Sequence, residues 1–121
     1  MKHIADLLFE ARMLKEIPRS GFQFLGAGRE SVAEHVYTAT FVAYVMAQMH
    51  PEADALKLIS LALVHDLPEA RTGDLNSVQK AYVRADEAAA AADATRALPF
   101  GPRLEGLIVE YRDGQSLEAM L

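Results

Sequence analysis

Leu63-Val64-His65-Asp66-Leu67-Pro68-Glu69-Ala70 is the stretch on which the reading of this chain turns. It closes a long apolar segment with a histidine and an aspartate side by side. Burying a carboxylate is costly unless a partner offsets the charge, and a metal ion is one such partner. Pro68 adds geometry. Its ring clashes with the carbonyl of Val64, and it disfavours helix at Leu67. A helix arriving here therefore has to stop or kink at His65-Asp66. Adjacent residues on a straight helix point about 100° apart, but at a disrupted end both side chains can turn toward one ion.

Upstream, Ser31 followed by Glu34 is a capping-box pattern, which opens a helix through about residue 49 with His35 in its first turn. Val36, Ala39, Phe41, Val42, Ala43, Val45 and Met46 make that helix apolar most of the way round, which predicts a central place in the core. His50-Pro51 ends it, and Pro51 suits the first turn of the next helix, over about 52–66. Residues 2–16 place Ile4, Leu7, Leu8, Ala11 and Leu14 at helical spacing. The Pro and Gly residues over 17–28 predict a loop. Downstream, 71–74 reads as a turn, followed by an alanine-rich helix over about 77–97, a short helix over 103–112 and a stub over 115–121 after Gly114. No segment alternates as a strand does. The pattern predicts one all-α domain over 1–121, a bundle of about five to six helices.

With 121 residues, 51% of them hydrophobic, the chain can bury a real core. It has no cysteine, so any metal would have to be held by His and carboxylate ligands. The net charge is −5, with acids and bases interspersed, which argues against a nucleic-acid surface but leaves room for one arginine aimed at a small anion. The first residues carry an acid early and lack a signal-peptide core, and no apolar run approaches a membrane span. A cytoplasmic protein without membrane partners is expected. His3 and His50 have no supporting context and are expected at the surface. His35 with His65-Asp66 would suit several divalent ions. Spacing alone leaves open that these histidines are satisfied core residues.

Three ordered motifs narrow the choice: Pro18-Arg19-Ser20-Gly21-Phe22, Glu30-Ser31-Val32-Ala33-Glu34-His35, and Leu63 to Asp74 read as L-x-H-D-x-x-E-x-x-x-G-D. Together they resemble the H…HD core of HD-domain metal-dependent phosphohydrolases, and more closely the YfbR-like 5′-deoxynucleotidase branch. The resemblance spans about residues 2–121. It implies an all-α HD fold, a homodimer, and release of phosphate from (deoxy)nucleoside 5′-monophosphates. By the same resemblance His35, His65 and Asp66 are metal ligands, for cobalt, manganese, zinc, iron or magnesium. Glu69 and Asp74 are the catalytic acids that handle and orient the attacking water, and Arg19 clamps the substrate phosphate through its bidentate fork.

The family pattern also takes a fourth ligand from a later helix, in a segment like V-K-D-A-D-K. The sequence ends at Ser116-Leu117-Glu118-Ala119-Met120-Leu121, so the resemblance implies a domain cut short at its C-terminus. Asp93 and Asp113 do not match that motif. The competing expectation is a non-catalytic HD-type binding or regulatory domain with an incomplete metal site. A third, weaker one is an HD enzyme acting on cyclic dinucleotides or alarmones.

Overall fold

The computed structural model describes residues 2–19 and 30–120. It is helical, as the periodicity predicts, and among the described residues no strand forms; the extended backbone makes one antiparallel bridge, between Pro18 and Ser31. The helices are α1 (Lys2–Met13), α2 (Val32–Met49), α3 (Ala55–Val64), α4 (Glu69–Thr72), α5 (Ser77–Lys80), α6 (Glu87–Thr95), α7 (Gly101–Asp113) and α8 (Leu117–Met120), with a 3₁₀ turn over Leu14–Glu16 after α1. Ser20, Gly21 and Phe22 of the arginine motif, and the rest of the expected loop through 28, lie outside the described residues.

α2 starts where its sequence signal puts it. The Ser31 hydroxyl accepts the Glu34 N–H at 3.1 Å, and the Glu34 carboxylate accepts the Ser31 N–H at 3.0 Å. Two orphan donors are satisfied reciprocally, and the first turn that holds His35 is fixed. The bridge just before it is equally tight. Arg19 N–H donates to the Glu30 carbonyl at 2.8 Å and Val32 N–H to that of Ile17 at 2.7 Å, which brings Arg19 to the head of α2.

The central place expected for α2 is taken by one of its faces only. Val32, Val36, Ala43 and Ala47 face inward, the last two small enough to let α3 approach with Leu58. Tyr37, Phe41 and Tyr44 are 71%, 58% and 52% exposed, because no described element covers that face.

α3 begins later than Pro51 suggested. Asp54 is its cap, accepting the Lys57 N–H at 3.1 Å, and a capping carboxylate outweighs the proline signal. The Asp54 N–H in turn donates to Glu118 at 2.9 Å, and Lys57 reaches Glu110 at 3.1 Å, so one polar cluster ties α3, α7 and α8 together. At its other end α3 stops at Val64 with His65 as its cap, where Pro68 requires it to stop. The backbone turns on short bonds, Leu67 N–H to Val64 O at 3.1 Å and Glu69 N–H to Asp66 O at 2.9 Å. The expected turn after it is instead the short α4, closed by Gly73 at φ 74°, a left-handed conformation that suits glycine.

The long helix expected over 77–97 is two. Asn76 and Gln79 form a capping box for α5, while the Asp86 side chain accepts the Ala89 N–H and starts α6 afresh. Short polar side chains that bond to nearby backbone interrupt a helix that alanine propensity would otherwise continue. α7 runs one to two residues past its expected ends and finishes on Gly114, left-handed at φ 64°.

The core that matters for the site is the cluster of Leu67, Ala91, Leu98, Leu104 and Ile108, with Ile4, Leu7 and Val64 packed on it. Val64 and Leu67 flank the His65-Asp66 pair. Both sides of the turn are thereby anchored by apolar burial, which at about 25 cal/mol per Å² fixes the backbone more firmly than polar contacts alone would.

Candidate metal centre

His35 comes from the first turn of α2, His65 and Asp66 from the end of α3. Their ligand atoms all lie within 4.8 Å of one another, the one such His, Cys and carboxylate grouping among the described residues. His65 Nε2 is 3.1 Å from Asp66 Oδ2, and His35 Nε2 is 3.9 Å from the same oxygen. The two rings meet edge to face at 6.3 Å between centroids.

The tautomer of His65 follows from its other nitrogen. Nδ1 is 2.8 Å from the Ala62 carbonyl oxygen, which can only accept, so Nδ1 carries a proton. In the neutral ring the lone pair is then on Nε2, the nitrogen that faces Asp66 and His35. A backbone carbonyl fixing a histidine in this way is the usual support of a metal ligand. The donor set therefore fits a divalent cation: two imidazole nitrogens and a carboxylate oxygen converging, with the His65 side chain 8% exposed.

Electrostatics divides the site. Burial opposes a charge on His65, but the hydrogen bond and charge of Asp66, with help from backbone bonds to Ala62 and Leu61, raise its pKa above the ordinary value. Burial lowers that of His35, and the nearby Arg19 cation lowers it further, with Asp66 working the other way. Arg19 is thus close enough for its charge to reach the cluster, while its guanidinium rests 3.6 Å from Glu30. Glu69 is pushed up to about 8, first by burial and then by the charges of Asp66, Asp74 and Glu87. Three carboxylates thus lean on Glu69.

Two cavities open beside this cluster. One, about 360 Å³, is lined by Glu69, Asp74, Lys80, Arg84 and Glu87 among others. The second, about 410 Å³, is mostly apolar, walled by Val42, Met46 and Leu61 and reaching His35, His65 and Tyr111. All six residues singled out in the sequence are thus accounted for. His35, His65 and Asp66 converge; Glu69 adjoins Asp66 and shares a cavity with Asp74; Arg19 stands at the head of α2. His3 is exposed, and His50 sits at the end of α2 with its Nδ1 3.1 Å from Glu52.

One residue was missed. Tyr111 of α7 lies against the His65 ring, 4.4 Å between centroids at an interplanar angle of 39°. Burial and the charges of Asp66 and Glu69 raise its pKa. A tyrosine at that position reads in sequence as ordinary helix surface, and no local signal distinguishes it.

Residues 11–121 match the model of the HD domain family described as HD_3. The chain belongs to the HD-domain family. Solved structures agree. A conserved hypothetical protein from Pyrococcus furiosus is 32% identical, with a TM-score of 0.79 over 95% of this chain and 70% of its own. A protein from Pyrococcus horikoshii is 28% identical, with a TM-score of 0.78 over 95% of this chain and 67% of its own. No curated protein matches. HD domains typically bind divalent metals and are commonly hydrolases. This HD domain has the His-His-Asp cluster that such binding calls for, and none of its described helices is long and apolar enough to cross a membrane.

Proposed function

We propose that this HD domain is a metal-dependent phosphohydrolase that releases phosphate from (deoxy)nucleoside 5′-monophosphates in the cytoplasm. The observation that carries the reading is the convergence of His35, His65 and Asp66 with Glu69 one short turn further on. A divalent cation on that cluster would supply charge neutralisation and a more acidic water. The residues do the rest. Asp66 and the two imidazoles hold the cation, and Glu69, whose carboxyl keeps its proton near neutrality until a cation offsets its acidic neighbours, receives or returns the proton of the attacking water. Asp74, across the shared cavity, orients it. Arg19 swings from Glu30 to grip two phosphate oxygens. The apolar cavity beside the histidines is of the size that small-molecule sites have, and offers the nucleoside a dry wall.

The test is direct. Protein stripped with chelator and reloaded with Mn²⁺ or Co²⁺ is expected to release inorganic phosphate from at least one member of a panel of nucleoside 5′-monophosphates, and the chelated protein from none. Silence across the panel with a demonstrably bound metal would overturn the reading.

The same reading includes a homodimer. The uncovered stripe of Tyr37, Phe41, Tyr44 and Val45 on α2 supports it, since a contiguous apolar patch on a helix usually marks a contact surface. Light scattering is expected to give twice the chain mass for the wild type and the monomer mass for Phe41→Glu.

A further inference from the structure

We propose that Tyr111 is a positioning residue for His65, holding the imidazole in the orientation that presents Nε2 to the cation. The inference rests on the reading of His35, His65 and Asp66 as a cation site. Two geometric facts carry it. The Nδ1 bond to Ala62 at 2.8 Å fixes which ring nitrogen faces inward, but one hydrogen bond still leaves the ring free to rock about it. The Tyr111 ring, 4.4 Å away and tilted by 39°, lies along one side of the imidazole and removes that freedom. His35 meets the same imidazole edge to face, 6.3 Å between centroids. The imidazole thus touches both a ligand partner from α2 and an aromatic plate from α7.

The helix that delivers the plate is itself fixed. Ile108, one turn before Tyr111, is fully buried in the core cluster that also contains Leu67. Glu110 beside it is bound by Lys57 of α3 and accepts the Ser116 hydroxyl at 2.7 Å. Tyr111 therefore has an apolar anchor and a polar one on its own helix, both tied to the segment that carries His65. Tyr111 as a residue is 42% exposed, so filling the core is not its main role. What the contact needs is the flat ring and not the hydroxyl.

That distinction makes the test. Co²⁺ binding is titrated by the metal's visible absorption for wild type, Tyr111→Phe, Tyr111→Leu and Tyr111→Ala. The Phe variant is expected to bind within about twofold of wild type, and the Leu and Ala variants about 10-fold more weakly, as for loss of an outer support of a ligand. A second readout uses the metal-free protein in alkaline buffer. The His65 ring protons are expected to show ring-current shifts in wild type and Phe that vanish in Leu and Ala, with the Nδ1–H tautomer giving way to a mixture. Leu keeps the apolar bulk, so it decides the matter if Ala fails to fold. Leu and Ala variants that bind Co²⁺ like wild type, or His65 signals unmoved by any substitution, would overturn the role of Tyr111. A wild type that binds no Co²⁺ while its His65 signals respond to Tyr111 would instead overturn the cation site.

Discussion

His65 and Glu69 lie one turn apart on either side of Pro68, and their surroundings treat charge in opposite ways. His65 faces an opposite charge: Asp66 Oδ2 lies 3.1 Å from its Nε2 and raises its pKa against the effect of burial. Glu69 faces its own kind, Asp66, Asp74 and Glu87, and is driven up to about 8. One side of the turn is complete as folded, and the other is short of positive charge. Asp66 belongs to both. A cation at the cluster would be welcome to Glu69 even though Glu69 need not touch it, because every nearby carboxylate gains from it.

Asp66→Ala breaks both sides at once and should have the largest effect. Removing a ligand outright is expected to weaken Mn²⁺ or Co²⁺ binding by more than the roughly 100-fold that loss of an outer partner can cost, and to abolish phosphate release. Calorimetric titration with circular dichroism as the folding control checks it. A variant that binds metal normally would dissolve the comparison.

Glu69→Gln acts on the acidic side alone. Metal affinity is expected to stay within a few-fold, while turnover falls by roughly 10²- to 10⁴-fold, the usual worth of a general acid or base. Equal losses in binding and turnover would mean that Glu69 is a ligand and not a proton carrier. Arg19→Lys is milder. It keeps a cation near His35 but loses the fork, so KM for a nucleoside monophosphate should rise about 10-fold, which matches about 1.5 kcal/mol for one charge-assisted hydrogen bond. A change confined to kcat would place Arg19 elsewhere in the reaction.

What could be read in advance follows the range of the interactions. Pro68 acts on Val64 and Leu67, Ser31 on Glu34, and such contacts are written in adjacent residues; the end of α3 and the start of α2 fell where they were expected. The break between α5 and α6 is also local, but the capping by Asn76 and Asp86 was outweighed by the alanine run that follows. Burial is different. Whether the apolar face of α2 is covered depends on which other elements exist to cover it, and helical periodicity reports only that the face is apolar. Tyr111 is the extreme case, since its partner His65 is on another helix and only folding of α7 onto α3 brings the rings together. The pKa of Glu69 is likewise a property of the assembled turn, because Glu87 comes from α6.

The smallest effect sharpens the comparison most, because it reverses the sign of the Glu69 substitution. In the metal-free protein the folded Glu69 carboxyl holds its proton up to about 8, whereas the unfolded chain gives it up near the ordinary 4.5. The folded state thus binds the proton more tightly. The stability this contributes is full below pH 4.5 and is lost as the pH rises through 8. Glu69→Gln carries no such proton. The variant should melt like wild type at pH 4.5 and be more stable at pH 9, by about 1 kcal/mol once solvent screening of the partly exposed carboxyl is allowed for, or roughly 3–5 °C. Saturating Mn²⁺ should shrink the difference, since a cation beside Asp66 favours the ionised carboxylate. Parallel pH profiles of melting temperature for the two proteins, with and without the metal, would show that the acids around Glu69 do not press on it as their positions require.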